Sequence, residues 1–286
     1  MIIDRLYEAV ESKGHVCVGL DTDLSYIPEF LLKKHTNISD VIFEFNKTIV
    51  DSTADYASCF KVQIAYYEAY GLEGLLAYKK TLDYLREKKE IIIADIKRGD
   101  ISKTAEMYAK GHFEGDFESD FITLSPYMGL DSIEPYLDYV KNKEKGLFVL
   151  VRTSNEGAKD IQFIDTAEGE KIYTTVGKKI QTLGENYLGK CGYSSIGGVV
   201  GCTHADEGRE MRKTHDKTFF LIPGYGAQGG GADDVAPLLR DGNGGVVNSS
   251  RGILLAYKKA DGKPEEFGAY AREEAKKMKE AIGNVI

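Results

Sequence analysis

The stretch Ile91–Asp100, IIIADIKRGD, begins with three aliphatic residues and then places Asp95, Lys97 and Asp100 within six positions. An unbroken aliphatic run, without polar alternation, marks a strand covered on both faces, which means a parallel strand lying under helices. Seven more runs of this kind follow the same logic: VCVGLD from Val16, SCFKVQ from Ser58, FITLSPY from Phe121, LFVLVRTS from Leu147, GGVVGCT from Gly197, FFLIPGYG from Phe219 and GGVVNSSRG from Gly244. Longer segments with helical spacing separate them. One sets Leu72, Leu75, Leu76, Leu82 and Leu85 against a lysine-rich outer face; this is the apolar stripe of a surface helix. Another is SIEPYLDYVKNKEK from Ser132, and the last, PEEFGAYAREEAKKMKEAI, has Pro264 in its first turn, where the missing N–H costs nothing.

Eight strand–helix alternations predict an α/β fold, a single (β/α)8 TIM barrel spanning residues 1–286. The opening MIIDRLYEAVESKG reads as an extra amphipathic N-terminal helix. An open doubly wound sheet fits the alternation almost as well. Its first βα turn, however, would carry a GxGxxG fingerprint, and here that turn reads GLDTDLSYIP. A chain of 286 residues is a normal length for one α/β barrel.

The formal net charge of −8, with acidic and basic residues interspersed, points away from nucleic acid as a partner. No apolar run approaches the roughly 20 residues that span a bilayer, and the N-terminus lacks the basic-then-apolar order of a signal peptide. Cys17, Cys59, Cys191 and Cys202 form no CxxC pair. Three of them sit in apolar segments and read as buried free thiols, as expected of a cytoplasmic protein. His112 and His204 belong to no motif and read as surface or packing residues.

Barrel enzymes build their sites at the C-terminal ends of the strands, and here those ends are polar. Asp21 ends the first strand, Lys61 lies near the end of the second, and Asp95 and Lys97 end the third. Residues two apart on a strand point to the same side, so Asp95 and Lys97 are expected together. Gly99 turns the chain, and Asp100 stands where a helix begins. Singly, each has a structural explanation: Asp100 as a helix cap, Asp95 with Lys97 as an ion pair, Lys61 as a snorkelling side chain. Collectively they are costly, because each desolvated ion loses several kcal/mol before pairing offsets the loss, on the order of magnitude known for buried charges. Such a convergence marks a site.

A second constellation lies in the loops after strands seven and eight, the usual phosphate site of this fold. PGYGAQGGG follows the seventh strand and SSRGI the eighth. Glycines let backbone N–H groups close on an anion. Gln228 and Arg251 add side-chain donors, Arg251 with a bidentate fork suited to phosphate.

DIKRGD followed by ISKT resembles the D-x-K-x-x-D-[IV]-x-x-T signature of orotidine 5′-phosphate decarboxylases. The resemblance extends over most of the chain, through GLD with Asp21, FKVQ with Lys61, RTSNEGA with Ser154, PGYGAQGG with Pro223 and Gln228, and SSRGI with Arg251 and Gly252. The length, LSPYMG and TSN are similar to the longer, type 2 bacterial branch, with Glu156 where that branch usually has proline.

The resemblance implies conversion of orotidine 5′-monophosphate to uridine 5′-monophosphate and carbon dioxide, without metal or organic cofactor. It implies Lys97 as electrostatic stabiliser and proton donor, with Asp95 and Asp100 holding it, and Lys61 completing an alternating charge chain. Asp21 and Lys61 would reach ribose hydroxyls, Ser154 and Gln228 the pyrimidine edge, and Arg251 the phosphate. It further implies a homodimer in which Asp100, Ile101 and Thr104 serve the partner's site. The Gly-rich loop at Gln228 and the polar stretch after Ser154 are the candidate lids. Two other functions share the pattern: a Mg²⁺-dependent phosphosugar lyase of the same superfamily, and a non-catalytic phosphate-binding barrel.

Overall fold

The computed structural model describes residues 1–202, 205–226, 229–260 and 263–286. Its eight strands are β1 (Val16–Gly19), β2 (Ala57–Gln63), β3 (Ile92–Arg98), β4 (Phe121–Leu124), β5 (Gly146–Arg152), β6 (Ser194–Val200), β7 (Thr218–Ile222) and β8 (Gly245–Ser249). They form a closed barrel in sequence order, every pairing parallel, with β8 returning to β1. Each of the eight apolar runs became a strand. The (β/α)8 barrel holds, and the open sheet does not.

Alternation along each strand divides the core in two. Val18, Phe60, Val62, Ile92 and Ala94 pack outward with helix residues such as Phe45, Leu82 and Ala109. Cys17, Cys59, Ile93, Phe121, Phe148 and Leu221 fill the interior together with Ile2, Ile3, Leu6 and Val10 of the N-terminal helix, Ile2–Lys13. That helix closes the end of the barrel where the strands start. Glu11 accepts a hydrogen bond from Asn243 Nδ2 at 2.7 Å, just before β8. Each of its four buried apolar side chains contributes about 1.5–3 kcal/mol, so the helix belongs to the core.

Three helical expectations shift. SIEPYLDYVKNKEK is broken into a 3₁₀ turn, Glu134–Tyr136, and a short α-helix, Leu137–Asn142, because Pro135 cannot donate to the preceding turn. The final segment begins as a 3₁₀ turn, Pro264–Glu266, before the helix Phe267–Gly283. In the helix Gly71–Glu87, Tyr78, Leu82 and Leu85 face the core, whereas Leu72 is 86% exposed and Leu76 also faces solvent. Cys17, Cys59 and Cys202 are buried free thiols and Cys191 is partly buried. His112 is buried and stacks on Phe117; His204 lies outside the described residues. Among the described residues no helix is long and apolar enough to cross a membrane.

Candidate active site

Inward parity carries the interior apolar residues up to a charged rim. Cys59 is followed two residues on by Lys61 and then Gln63, Ile93 by Asp95, and Phe121 by Thr123. The side chains that fill the barrel below therefore give way to ions at its C-terminal mouth.

Those ions form a continuous chain. Lys61 Nζ lies 2.8 Å from Asp21 Oδ1 and 3.1 Å from Asp95 Oδ2. Lys97 Nζ lies 2.6 Å from Asp95 Oδ1. At the outer end, the Ser250 hydroxyl donates to Asp21 Oδ2 at 2.7 Å. Gln63 Nε2 donates to Asp95 Oδ2 at 2.9 Å and the Thr123 hydroxyl to Asp95 Oδ1 at 2.8 Å. Each Asp95 oxygen thus accepts from two donors, which fills the acceptor capacity of a carboxylate. Gly19 permits this crowding, since a Cβ there would collide with the Ser250 hydroxyl.

Burial raises the Asp95 carboxyl, but the charges of Lys61 and Lys97 outweigh it and bring its pKa down to about 2. Burial likewise opposes the charge on Lys61, and Asp21 and Asp95 overcome it, so that the ammonium is held well above its ordinary range. Both groups remain ionised through neutral pH, although Lys61 and Asp95 are only 5% and 6% exposed. Lys97 is the outward-reaching member, its side chain 45% exposed.

Asp95 and Lys97 meet as expected, but not as neighbours on a regular strand. Lys97 has φ +43° and Ser102 φ +48°, left-handed conformations that non-glycine residues seldom adopt. The β3–β4 register is irregular between Ala94 and Arg98. Asp100 is not the helix cap: the helix Ser102–Phe113 is preceded by Ile101, which makes no side-chain cap, and Asp100 Oδ1 accepts from Ile101 N at 2.8 Å.

Two joined cavities open at the mouth. One of about 380 Å³ is lined by Lys61, Asp95, Lys97, Thr123, Ser154 and Pro223, among others. The other, about 190 Å³, runs from Lys61, Asp95 and Lys97 past Asp21 to Tyr225, Ser250 and Arg251. Gly252 follows Arg251 in the short helix Arg251–Leu254. Asp100, Ile101 and Thr104 are absent from both linings; Ile101 and Thr104 are exposed beyond Gly99. Gln228 lies outside the described residues.

The segment leading into Ser154 is held through its neighbours. Arg152, buried, makes paired contacts to Glu207 at 2.9 and 3.0 Å. Thr153 N donates to Gln162 Oε1, whose amide returns a bond to the Thr153 hydroxyl. Gly201 lets the segment approach β6, for a Cβ there would stand 2.9 Å from that of Ser154. The polar stretch after Ser154 is consequently folded, beginning with a 3₁₀ segment, Glu156–Asp160. Sequence reading did not single out Gln63, Thr123, Asn248 or Ser250. The signal for the first was its place two residues beyond Lys61, and for Thr123 two beyond Phe121, on the same inward parity.

A parallel barrel with alternating lysines and aspartates at its C-terminal mouth, and an arginine opening the short helix after β8, has the architecture of a barrel enzyme, with cations suited to an anionic small molecule. The chain belongs to the orotidine 5′-phosphate decarboxylase / HUMPS family, whose model matches residues 14–262. It is 65% identical to orotidine 5′-phosphate decarboxylase of Clostridium kluyveri over 282 residues, covering 99% of this chain and 97% of that protein. The same enzyme of Clostridium acetobutylicum is also 65% identical, over 286 residues and the full length of both. Among solved structures, Leishmania donovani OMP decarboxylase superposes with a TM-score of 0.79 at 28% identity, covering 99% of this chain and 98% of that one.

Proposed function

We propose that this chain decarboxylates orotidine 5′-monophosphate to uridine 5′-monophosphate and carbon dioxide, the last step of pyrimidine nucleotide synthesis, as a member of the longer, type 2 bacterial branch. The observation that carries the reading is the Asp21–Lys61–Asp95–Lys97 chain at the barrel mouth.

Loss of carbon dioxide leaves the electron pair of the broken bond on C6 of the pyrimidine, where no adjacent carbonyl absorbs it. The Lys97 ammonium stands ready beside that carbon, stabilises the developing charge and transfers its proton to C6; the amine is then reprotonated from solvent. Asp95 keeps the ammonium charged and aimed, and its own charge opposes the substrate carboxylate in the ground state. Lys61 and Asp21 take the ribose hydroxyls, Ser154 and Gln228 the pyrimidine edge, with Pro223 beside the ring. Arg251 and the backbone at Gly252 hold the phosphate, and that remote binding energy closes the loops around the ring.

A carboxylate whose four acceptor positions are filled by two ammonium groups, a hydroxyl and an amide has no lone pair free for a divalent cation. This disfavours the Mg²⁺-dependent lyase reading. The working form is a homodimer, with Asp100, Ile101 and Thr104 completing the partner's site. Their position outside their own cavity supports this. So does the exposure of the apolar side chains Leu72, Ile101, Met107, Tyr127 and Met128 on the segments that follow β2, β3 and β4. Residues 1–286 act as one domain, and the four free cysteines fit a reducing cytoplasm. The test is release of carbon dioxide from orotidine 5′-monophosphate by the purified chain in EDTA. Turnover in stoichiometry with uridine 5′-monophosphate supports the proposal; no release, or release only with added Mg²⁺, rejects it.

A further inference from the structure

We infer that Thr123 is a positioning residue for this reaction, its hydroxyl locking the left-handed turn at Lys97 to the carboxylate of Asp95. The inference rests on the decarboxylase reading and names a residue outside the motifs that carry it.

The backbone creates the need. Ile93 and Ala94 of β3 pair with Phe121 and Ile122 of β4, but the next pairing is Arg98 with Leu124. Four steps along β3 pass against two along β4, so the intervening amides lose their regular ladder partners. This is a bulge, a device that re-aims side chains beside functional sites. Lys97, at φ +43°, sits in a conformation that an L-residue holds only when its surroundings fix it.

Thr123 supplies the fixing. Its Oγ1 accepts from Ile96 N at 3.0 Å and from Lys97 N at 2.9 Å. Its proton goes to Asp95 Oδ1 at 2.8 Å, the oxygen that also receives Lys97 Nζ at 2.6 Å. One donor and two acceptors are all that a hydroxyl has, and all three are engaged at a residue 1% exposed. The result is a closed ring from the Lys97 amide through Thr123 and Asp95 back to the Lys97 ammonium. Gln63 grips the opposite Asp95 oxygen at 2.9 Å, but touches neither amide. Thr123 alone, among the described residues, links backbone turn and carboxylate.

Only a β-hydroxyl meets these demands. Valine has the same shape and none of the bonds; serine keeps them all. The experiment compares Thr123→Val, Thr123→Ala and Thr123→Ser with the wild-type chain, measuring kcat, KM, affinity for uridine 5′-monophosphate by calorimetry, and Tm. Thr123→Val is expected to lose roughly 10- to 100-fold in kcat, the scale for sub-ångström misplacement of a reacting group, while nucleotide affinity holds. Thr123→Ala should lose similarly, and Thr123→Ser should retain most of kcat. Wild-type kcat in Thr123→Val overturns the inference. So does a serine variant as damaged as the valine one, or a loss of nucleotide affinity that matches the loss of kcat. Failure of both the valine and alanine variants to fold, with serine folding, would also overturn it, by assigning the hydroxyl to stability alone. A wild-type chain that releases no carbon dioxide refutes the decarboxylase reading itself; an active wild type beside an equally active valine variant refutes only the role of Thr123.

Discussion

Replacing Lys61 by methionine tests whether the charge chain is one coupled unit. The substitution keeps the apolar stem and removes an ammonium 2.8 Å from Asp21 and 3.1 Å from Asp95. The two carboxylates are not equally affected. Asp21, with a side chain 19% exposed, retains the Ser250 hydroxyl and gains water. Asp95 is enclosed, but it keeps Lys97, Thr123 and Gln63. Breaking a buried pair from one side costs about 3–5 kcal/mol, and the remaining partners place this case at the lower end. For a chain of 286 residues, an unfolding entropy near 2.1 cal/mol/K per residue makes that roughly a 5 °C fall in Tm. The pH dependence carries a sign. A depressed carboxyl stabilises the fold above the ordinary carboxylate range, and that contribution is lost as pH falls through its folded pKa. In the wild-type chain that value is about 2. With Lys61 gone the Asp95 pKa rises, so acid unfolding should begin at higher pH. Calorimetry at neutral pH and an acid titration followed by circular dichroism give both readings. An unchanged Tm with an unmoved acid midpoint would falsify the coupling.

Arg251→Ala should raise KM by about 10- to 150-fold, the equivalent of losing a charge-assisted contact of roughly 1.5–3 kcal/mol; steady-state kinetics with a wild-type KM would move the phosphate site elsewhere. Lys97→Ala and Asp100→Ala homodimers should each be nearly inactive, yet regain about a quarter of wild-type activity when mixed after dissociation, because half the dimers are then mixed and half their sites intact. No recovery from verified mixed dimers would return Asp100 to its own chain.

The fold was legible because parallel strands under helices must be apolar on both faces, and Ile91–Ile93 and its seven counterparts meet that condition. The site was legible in part for the same reason. Charges at Lys61, Asp95 and Lys97 interrupt runs that are otherwise largely apolar. What escaped depends on a second strand. The turn at Lys97 exists because β3 slips against β4, and nothing within DIKRGD marks the slip; Thr123, which stabilises it, lies in an unremarkable FITL. Asp100 read equally well as a cap, and only the backbone path through Ile101 and Ser102 removes that role. The exposure of Leu72 and Leu76 broke the expected helical stripe, since periodicity cannot distinguish a face turned to the chain's own core from one available to a second chain.

The central claim is that Lys97 acts in the transition state, and the most direct measurement is the kinetics of Lys97→Ala alongside its affinity for uridine 5′-monophosphate. A group that stabilises developing charge lowers kcat when removed and leaves ground-state binding in place. The expected result is a fall in kcat of at least about a hundredfold, with calorimetry still detecting nucleotide binding. Turnover of orotidine 5′-monophosphate at the wild-type rate by this variant would contradict the account.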